Sequence, residues 1–324
     1  MNRLPTFAKT LVLTFLLATP LYSYVTLKRL SSTNKIVQLK WAGAPLSWQM
    51  NPGVGANVTG AREQGDVMRQ SFRTWSSIPT AAITFAERPA AAATVNLAYD
   101  GMNVVSTNLT SSEWSAFGVG SSVLAFTAVV SFDMGGIVDA LGRPVSFPGQ
   151  IMDADIVFNP SYEFSTDDDT ALSGKLDFQS VLTHEIGHFL GLDHSPTVSS
   201  TMFWTILSGL TGPRTPGTDD IAGVSSIYPA ASFSSKGTLR GTVRTTANMP
   251  VYGAVVVALN NSGQPVASAI TDPSGQYTIM GLDSGSYTVY AQTLEGFTTS
   301  TTIKTLSEIY AGQTVDTSFT ARFR

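Results

Sequence analysis

The sequence predicts an α+β unit, built as a mixed twisted sheet with a helix that carries the functional groups, followed by an all-β sandwich. Three observations predict it. Strand and helix patterns alternate from about Val37; a His-Glu-x-x-His helix stops at Gly191; and beyond Pro229 short β-rich runs alternate with turn signals every ~8–12 residues.

The elements follow in chain order. Arg3 and Lys9 precede an apolar run from Leu11 to Ala18, then Pro20 and small or polar residues near Ser23. That is the order of a signal peptide over residues 1–23, although the run also reads as a buried N-terminal element or an uncleaved anchor. It is shorter than the ~20 residues a membrane-spanning helix needs, and no later segment is apolar enough to span a bilayer. Residues 24–36 make a short N-terminal segment, and 37–229 the first folded unit. Runs at 36–41 and 46–50 read as strands separated by Gly43 and Pro45. Val67, Met68, Phe72 and Trp75 lie at helical spacings within 61–76. Strands are expected at 82–85, 94–99, 122–130 and 151–158, and the run Asp167-Asp168-Asp169 reads as a solvated loop.

Asp177 is placed to cap a helix over 178–190, because a carboxylate accepts the free N–H groups of a first turn. Gly191 ends that helix, since glycine takes the left-handed conformation without steric cost. A further helix over 219–228 stops at Pro229. Residues 230–237 read as a linker and 238–324 as the sandwich, with turns at Asn261-Ser262-Gly263, Asp272-Pro273-Ser274-Gly275 and Asp283-Ser284-Gly285.

Composition excludes several classes. With 43% hydrophobic and 13% charged residues, the chain has ample core and does not read as disordered. A net charge of −4 with no run of Lys or Arg argues against nucleic acid, whose phosphates demand a concentrated basic face. There is no cysteine, which excludes disulfides, thiolate ligands and a cysteine nucleophile.

The chemistry centres on His184-Glu185-Ile186-Gly187-His188-Phe189-Leu190-Gly191-Leu192-Asp193-His194. Residues four apart on a helix share a face, so His184 and His188 can aim at one point. The chain leaves the helix at Gly191 and can return His194 as a third ligand. Three neutral imidazoles suit one catalytic Zn2+, because they leave a fourth tetrahedral position open to water. Glu185 can reach that water as general base. The chain has three histidines in all, and every one lies in this motif, which separates it from a His-Glu-x-x-His arising by accident on an amphipathic helix.

At these residues the chain resembles the metzincin peptidases, and within them the matrixins, over about Val37 to Pro229. The resemblance implies a zincin-like catalytic fold and a zinc-dependent endopeptidase; with the signal-peptide pattern, the expectation is an enzyme that is secreted or held at the periplasm or cell surface. It implies a protein or peptide substrate bound in extended form against an edge strand at Val123-Leu124-Ala125-Phe126-Thr127, although the same residues also read as an interior strand. Met202 matches the family's methionine turn, Ser195 fits the residue after the third ligand, and 218–228 resembles the closing helix. Asp153 and Asp155 sit where matrixins place carboxylates near Ca2+; residue type alone reads them as turn or cap residues.

There are departures from the family. No histidine remains for a second, structural zinc, and without a thiol there is no cysteine switch. The segment before Val37 is too short for a folded prodomain. Phe203 and Trp204 replace the usual Pro-Tyr beside the specificity pocket, and no tyrosine closely follows Met202, which argues against the astacin branch. The C-terminal unit is similar to carboxypeptidase regulatory-like domains, which implies a structural role or binding of a surface, polymer or protein. Two rival readings stay open: an adhesin with an idle zinc fold, and a zinc hydrolase of non-peptide bonds.

Overall fold

A five-stranded sheet carries the first unit, in spatial order Phe85–Glu87, Leu46–Met50, Val104–Ser106, Ile151–Phe158 and Ala125–Ser131. The computed structural model describes residues 24–90, 99–169, 174–294, 302–320 and 322–323. The expected signal peptide and nearly all of the strand expected at 94–99 lie outside the described residues. Neighbouring strands are parallel except the last pair, where Ala125–Ser131 runs antiparallel to Ile151–Phe158 and forms the sheet edge. All eight residues of Ile151–Phe158 are buried, as a strand covered on both faces requires.

Helix α1 (Gln64–Ser76) buries Val67, Met68, Phe72 and Trp75, the apolar positions that its sequence spacing sets on one face. The Phe72 ring stacks on Trp48 of the sheet at 4.0 Å, and Trp75 Nε1 donates to the carbonyl of Thr183 at 2.9 Å. A short helix α2 (Ser111–Ala116) has a reciprocal cap between Thr110 and Glu113, a pattern the sequence analysis did not pick out.

Helix α3 (Phe178–Phe189) is buried at every position except His188, so it is held by packing on all sides. Its start is fixed by Asp177, whose Oδ2 accepts from Ser180 N at 2.8 Å. Arg214 grips the same buried carboxylate through Nη2 at 2.5 Å and Nε at 2.9 Å, which leaves the charge both paired and hydrogen-bonded. The helix ends as expected, with Leu190 as cap and Gly191 at φ +94°.

Helix α4 (Thr218–Ile227) closes the unit. The Tyr228 hydroxyl after it donates to the carbonyl of Leu190 at 2.9 Å and so ties the ends of α3 and α4 together. The strand expected at 82–85 begins three residues later. Ala82 N donates to the carbonyl of Tyr228 and Ala81 bridges Pro229, so 81–82 is occupied by the end of α4 and the sheet ladder starts at Phe85.

The second unit is a β-sandwich of antiparallel sheets. One pairs Gly237–Thr242 with Gln276–Leu282; the other runs Pro265–Ile270, Val255–Leu259, Thr288–Gln292 and Arg322–Phe323. Val255 and Val257 enter one apolar cluster with Ile303 and Leu306, while Val256 and Ala258 enter another with Ile279 and Leu282. Alternation along a strand buried on both faces explains the continuous apolar run. Helix α5 (Lys304–Ile309), which the all-β reading did not include, covers the first cluster.

Residues 24–30 belong to both units. Tyr24 and Leu27 join the core of the first, whereas Val25 joins the cluster of Val255 and Ile303. Asp193 N donates to the carbonyl of Val25 at 2.7 Å and Leu27 N to that of Gly191 at 2.8 Å, so this segment lies along the chain that follows α3.

Gly191 is the sharpest constraint on that chain. A Cβ there would stand 2.4 Å from the carbonyl oxygen of Leu39, and the positive φ disfavours any other residue. Gly191→Ala is expected to destabilise the protein by about 1–3 kcal/mol. Thermal unfolding followed by circular dichroism checks this; an unchanged midpoint would show that the turn is not so constrained.

Candidate metal centre

The rings of His184, His188 and His194 converge, with one ligand-type atom of each within 4.8 Å of the others. Among the described residues this is the one group of three or more His, Asp or Glu side chains so arranged. The first two project from α3 one turn apart, and the third returns on the chain that Gly191 releases.

Each ring is oriented by a backbone carbonyl. His184 Nδ1 lies 2.7 Å from the carbonyl oxygen of Thr201, His188 Nδ1 2.9 Å from that of Leu192, and His194 Nδ1 2.5 Å from that of Thr302. A carbonyl can only accept, so each Nδ1 carries the proton and each Nε2 presents a lone pair. His188 Nε2 and His194 Nε2 stand 3.3 Å apart. Burial, and then the neighbouring His194, pushes His184 down to about 3; burial and the other two rings hold His188 well below its usual value. Neutral rings with lone pairs turned inward repel one another unless they share a cation. That donor set fits a divalent ion such as zinc, which takes imidazole nitrogen and tolerates an open fourth position.

Glu185 follows His184 on α3 and is buried. Its Oε2 lies 2.7 Å from the hydroxyl of Thr127, on the sheet-edge strand, and that hydroxyl is also 2.9 Å from the Glu185 carbonyl. Burial pushes the Glu185 carboxyl up to about 7, against the Thr127 bond that draws it down.

Met202 lies beneath α3. Ser195 N donates to its carbonyl at 2.8 Å, which closes the turn after His194. The side chain is fully buried, and a Cβ on Gly187 would come within 2.1 Å of its sulfur. The glycine between His184 and His188 thus opens the space that the methionine fills.

Asp220, in the first turn of α4, holds this turn from below. Its carboxylate accepts from Thr201 N and Gly217 N at 2.7 Å, from Met202 N at 3.1 Å and from the Ser200 hydroxyl. Thr201 is the residue whose carbonyl orients His184, so Asp220 acts on that ring through one residue.

The calcium expectation at Asp153 and Asp155 is not supported. Asp153 Oδ2 accepts from Asp100 N at 2.9 Å and Gly101 N at 2.7 Å; Asp155 Oδ1 accepts from Val104 N at 2.7 Å. These buried carboxylates secure the loop leading into Val104–Ser106, and no metal-holding group forms around them among the described residues. Asp167 and Asp168 are likewise occupied, with Ala61 N and Arg62 respectively.

Thr127, Asp220 and Thr302 were not singled out by the sequence analysis. Thr127 was visible only as part of the substrate-strand match, and Asp220 only as part of a closing helix. The Thr302 contact is a backbone carbonyl 108 residues beyond His194, which no local pattern could reveal.

Comparison with known protein families matches residues 40–229 to Matrixin, more than half of the chain, and residues 238–322 to the carboxypeptidase regulatory-like domain. No individual curated protein matches significantly.

Replacing Asp220 by alanine would take the acceptor from the buried Thr201 N and the half-buried Gly217 N and leave Met202 N with the Ser200 hydroxyl alone, at 3.0 Å. Asp220→Ala is expected to cost on the order of 3 kcal/mol. Asp220→Asn, which keeps the shape, is expected to cost less. Unfolding of the metal-free proteins in urea measures both; equal midpoints for parent and alanine variant would contradict the role.

Proposed function

The chain belongs to the matrixin family, a family of zinc metallopeptidases, and from that premise we propose that it is a secreted endopeptidase in which His184, His188 and His194 hold one zinc ion and Glu185 is the general base. The observation that carries the reading is the convergence of three Nε2 lone pairs, each fixed by a carbonyl on the opposite side of its ring. Zinc bound there supplies a Lewis acid for the scissile carbonyl and brings the pKa of a water to near ~7.

The chain's own residues account for the rest. The Glu185 carboxylate takes a proton from the attacking water as the water oxygen bonds to the carbonyl carbon. It then passes that proton to the amine nitrogen as the C–N bond breaks, and the second proton of the water follows to the same nitrogen, so the products are a carboxylate and an ammonium group. Burial favours its neutral form, whereas a cation among the three rings favours the carboxylate. These opposed pulls suit a group that must both take and return a proton.

The substrate lies extended along Ala125–Ser131. That strand ends the sheet, and its Thr127 reaches Glu185, so a peptide paired to its outer edge would run past the general base. Backbone pairing of this kind gives affinity with little sequence preference. Phe203 and Trp204 then set the wall that distinguishes the side chain beside the cut. Secretion rests on the signal-peptide pattern of residues 1–23 and on the extracellular habit of matrixins; among the described residues no helix is long and apolar enough to cross a membrane. The division into a short segment (24–36), a peptidase unit (37–229), a linker (230–237) and a sandwich (238–324) belongs to the same reading. So does the sandwich's binding of a surface, polymer or protein.

Glu185→Gln is expected to lower kcat on casein or a mixed peptide library by about 10²–10⁴-fold while metal analysis still finds zinc. A chelator should abolish cleavage by the parent, and added zinc should restore it. Parent-like cleavage by the glutamine variant, or full activity in chelator, would remove this mechanism.

A further inference from the structure

His184 and His188 take their Nδ1 acceptors, Thr201 and Leu192, from the matrixin unit itself. His194 does not. Its acceptor is the carbonyl of Thr302, which lies between the sandwich strands Thr288–Gln292 and Arg322–Phe323, at the entry to α5.

That contact is secured on both sides of His194. On one side, Asp193 is buried and its carboxylate binds the start of α5: Oδ2 accepts from Thr305 N at 2.6 Å and Oδ1 from Lys304 N at 3.2 Å. The same Oδ1 accepts from His194 N at 2.8 Å, so one carboxylate spans the histidine loop and the C-terminal unit. On the other side, Ser195 donates to Asp219 Oδ2 at 2.7 Å. Oδ1 of Asp219 accepts from Ser268 N at 2.8 Å and the Ser268 hydroxyl at 3.1 Å, in the sandwich strand Pro265–Ile270. The Thr305 hydroxyl adds a bond to the carbonyl of Thr26, and Val25 packs with Ile303 and Leu306.

We propose that the C-terminal unit is a working part of the metal centre: through the Thr302 carbonyl, tied down by Asp193 and Asp219, it fixes the tautomer and orientation of the third zinc ligand. The inference rests on the zinc reading of the three histidines. Asp193 and Asp219 are positioning residues in this scheme, since neither needs to touch metal or substrate. Their geometry explains why two carboxylates are buried beside the histidine loop, each with one partner in that loop and others in the C-terminal unit. A charged acceptor makes stronger bonds than a neutral one, and burial excludes the water that would compete. A histidine loop held by the first unit alone would keep its backbone bonds to Val25, Leu27 and Met202 and the Ser195–Asp219 bond, but the His194 ring would lose the acceptor of its Nδ1.

The test uses the full chain with Asp193→Asn and, separately, Asp219→Asn, each of which keeps shape and removes charge. Zinc affinity is measured by competition with a chromogenic chelator. The visible spectrum of the cobalt-substituted proteins reports ligand number and symmetry, which a merely structural role would not alter. Circular dichroism of the metal-free proteins checks the fold. Outer contacts of metal-bound histidines are usually worth about 10–100-fold in affinity, so a loss of roughly tenfold or more is expected, with an altered cobalt spectrum and a retained fold.

Zinc affinity within twofold of the parent and a parent-like cobalt spectrum in both variants would overturn the proposal. So would failure of both variants to fold without metal, which would assign the ties to folding alone. Higher peptidase activity at unchanged zinc affinity would mark the Thr302 segment as a cover and also overturn it. A parent that binds no zinc at all would instead sink the zinc reading of the site.

Discussion

The molecule is organised around an arrangement that is unfavourable on its own: three imidazole lone pairs turned toward one another, one ring buried and two half-buried. Nothing intrinsic to α3 would keep His184, His188 and His194 so disposed. The rings stay because each Nδ1–H is committed to a carbonyl elsewhere, and each carbonyl is itself held by further structure. Asp220 holds Thr201, the turn after Gly191 presents Leu192, and α5 presents Thr302. The surrounding packing opposes the repulsion in advance, which is what preorganisation for a cation means in physical terms.

The same logic explains how buried charge is used. Asp177, Asp193, Asp219 and Asp220 are all nearly inaccessible, and burying a carboxylate without partners is costly. Each is satisfied by N–H, hydroxyl or guanidinium donors, and each sits at a join: the start of α3, the two sides of His194, and the methionine turn. Apolar packing of Trp75, Phe72 and Phe189 gives the unit its bulk stability, but it is indifferent to small rotations. Charged hydrogen bonds are directional, and they have been placed where direction matters.

Much of this was legible in the sequence because it is local. The histidine spacing, the Asp177 cap and the Gly191 stop all act within one helix, and the 46–50 and 151–158 strands emerge with the expected bounds. The failures are non-local. Val104–Ser106 is too short to carry a period, and Ala82 reads as a strand until the end of α4 takes its N–H group. For Asp153 and Asp155 the resemblance suggested calcium and residue type suggested turns or caps, because a carboxylate's partner cannot be read from its own neighbourhood; the partners are backbone N–H groups about fifty residues upstream. The third histidine was identified correctly as converging, yet its supporting carbonyl belongs to a unit that the sequence set apart.

The span between His194 and Thr302 also has a consequence in time. A ribosome adds roughly 5–20 residues per second. The 108 residues between them therefore represent several seconds of synthesis during which the first two rings can find their partners and the third cannot. On this schedule the helix that bears the motif is complete early and the full constellation late. A nascent fragment ending before α5 would therefore carry the motif without the carbonyl that orients its third ring.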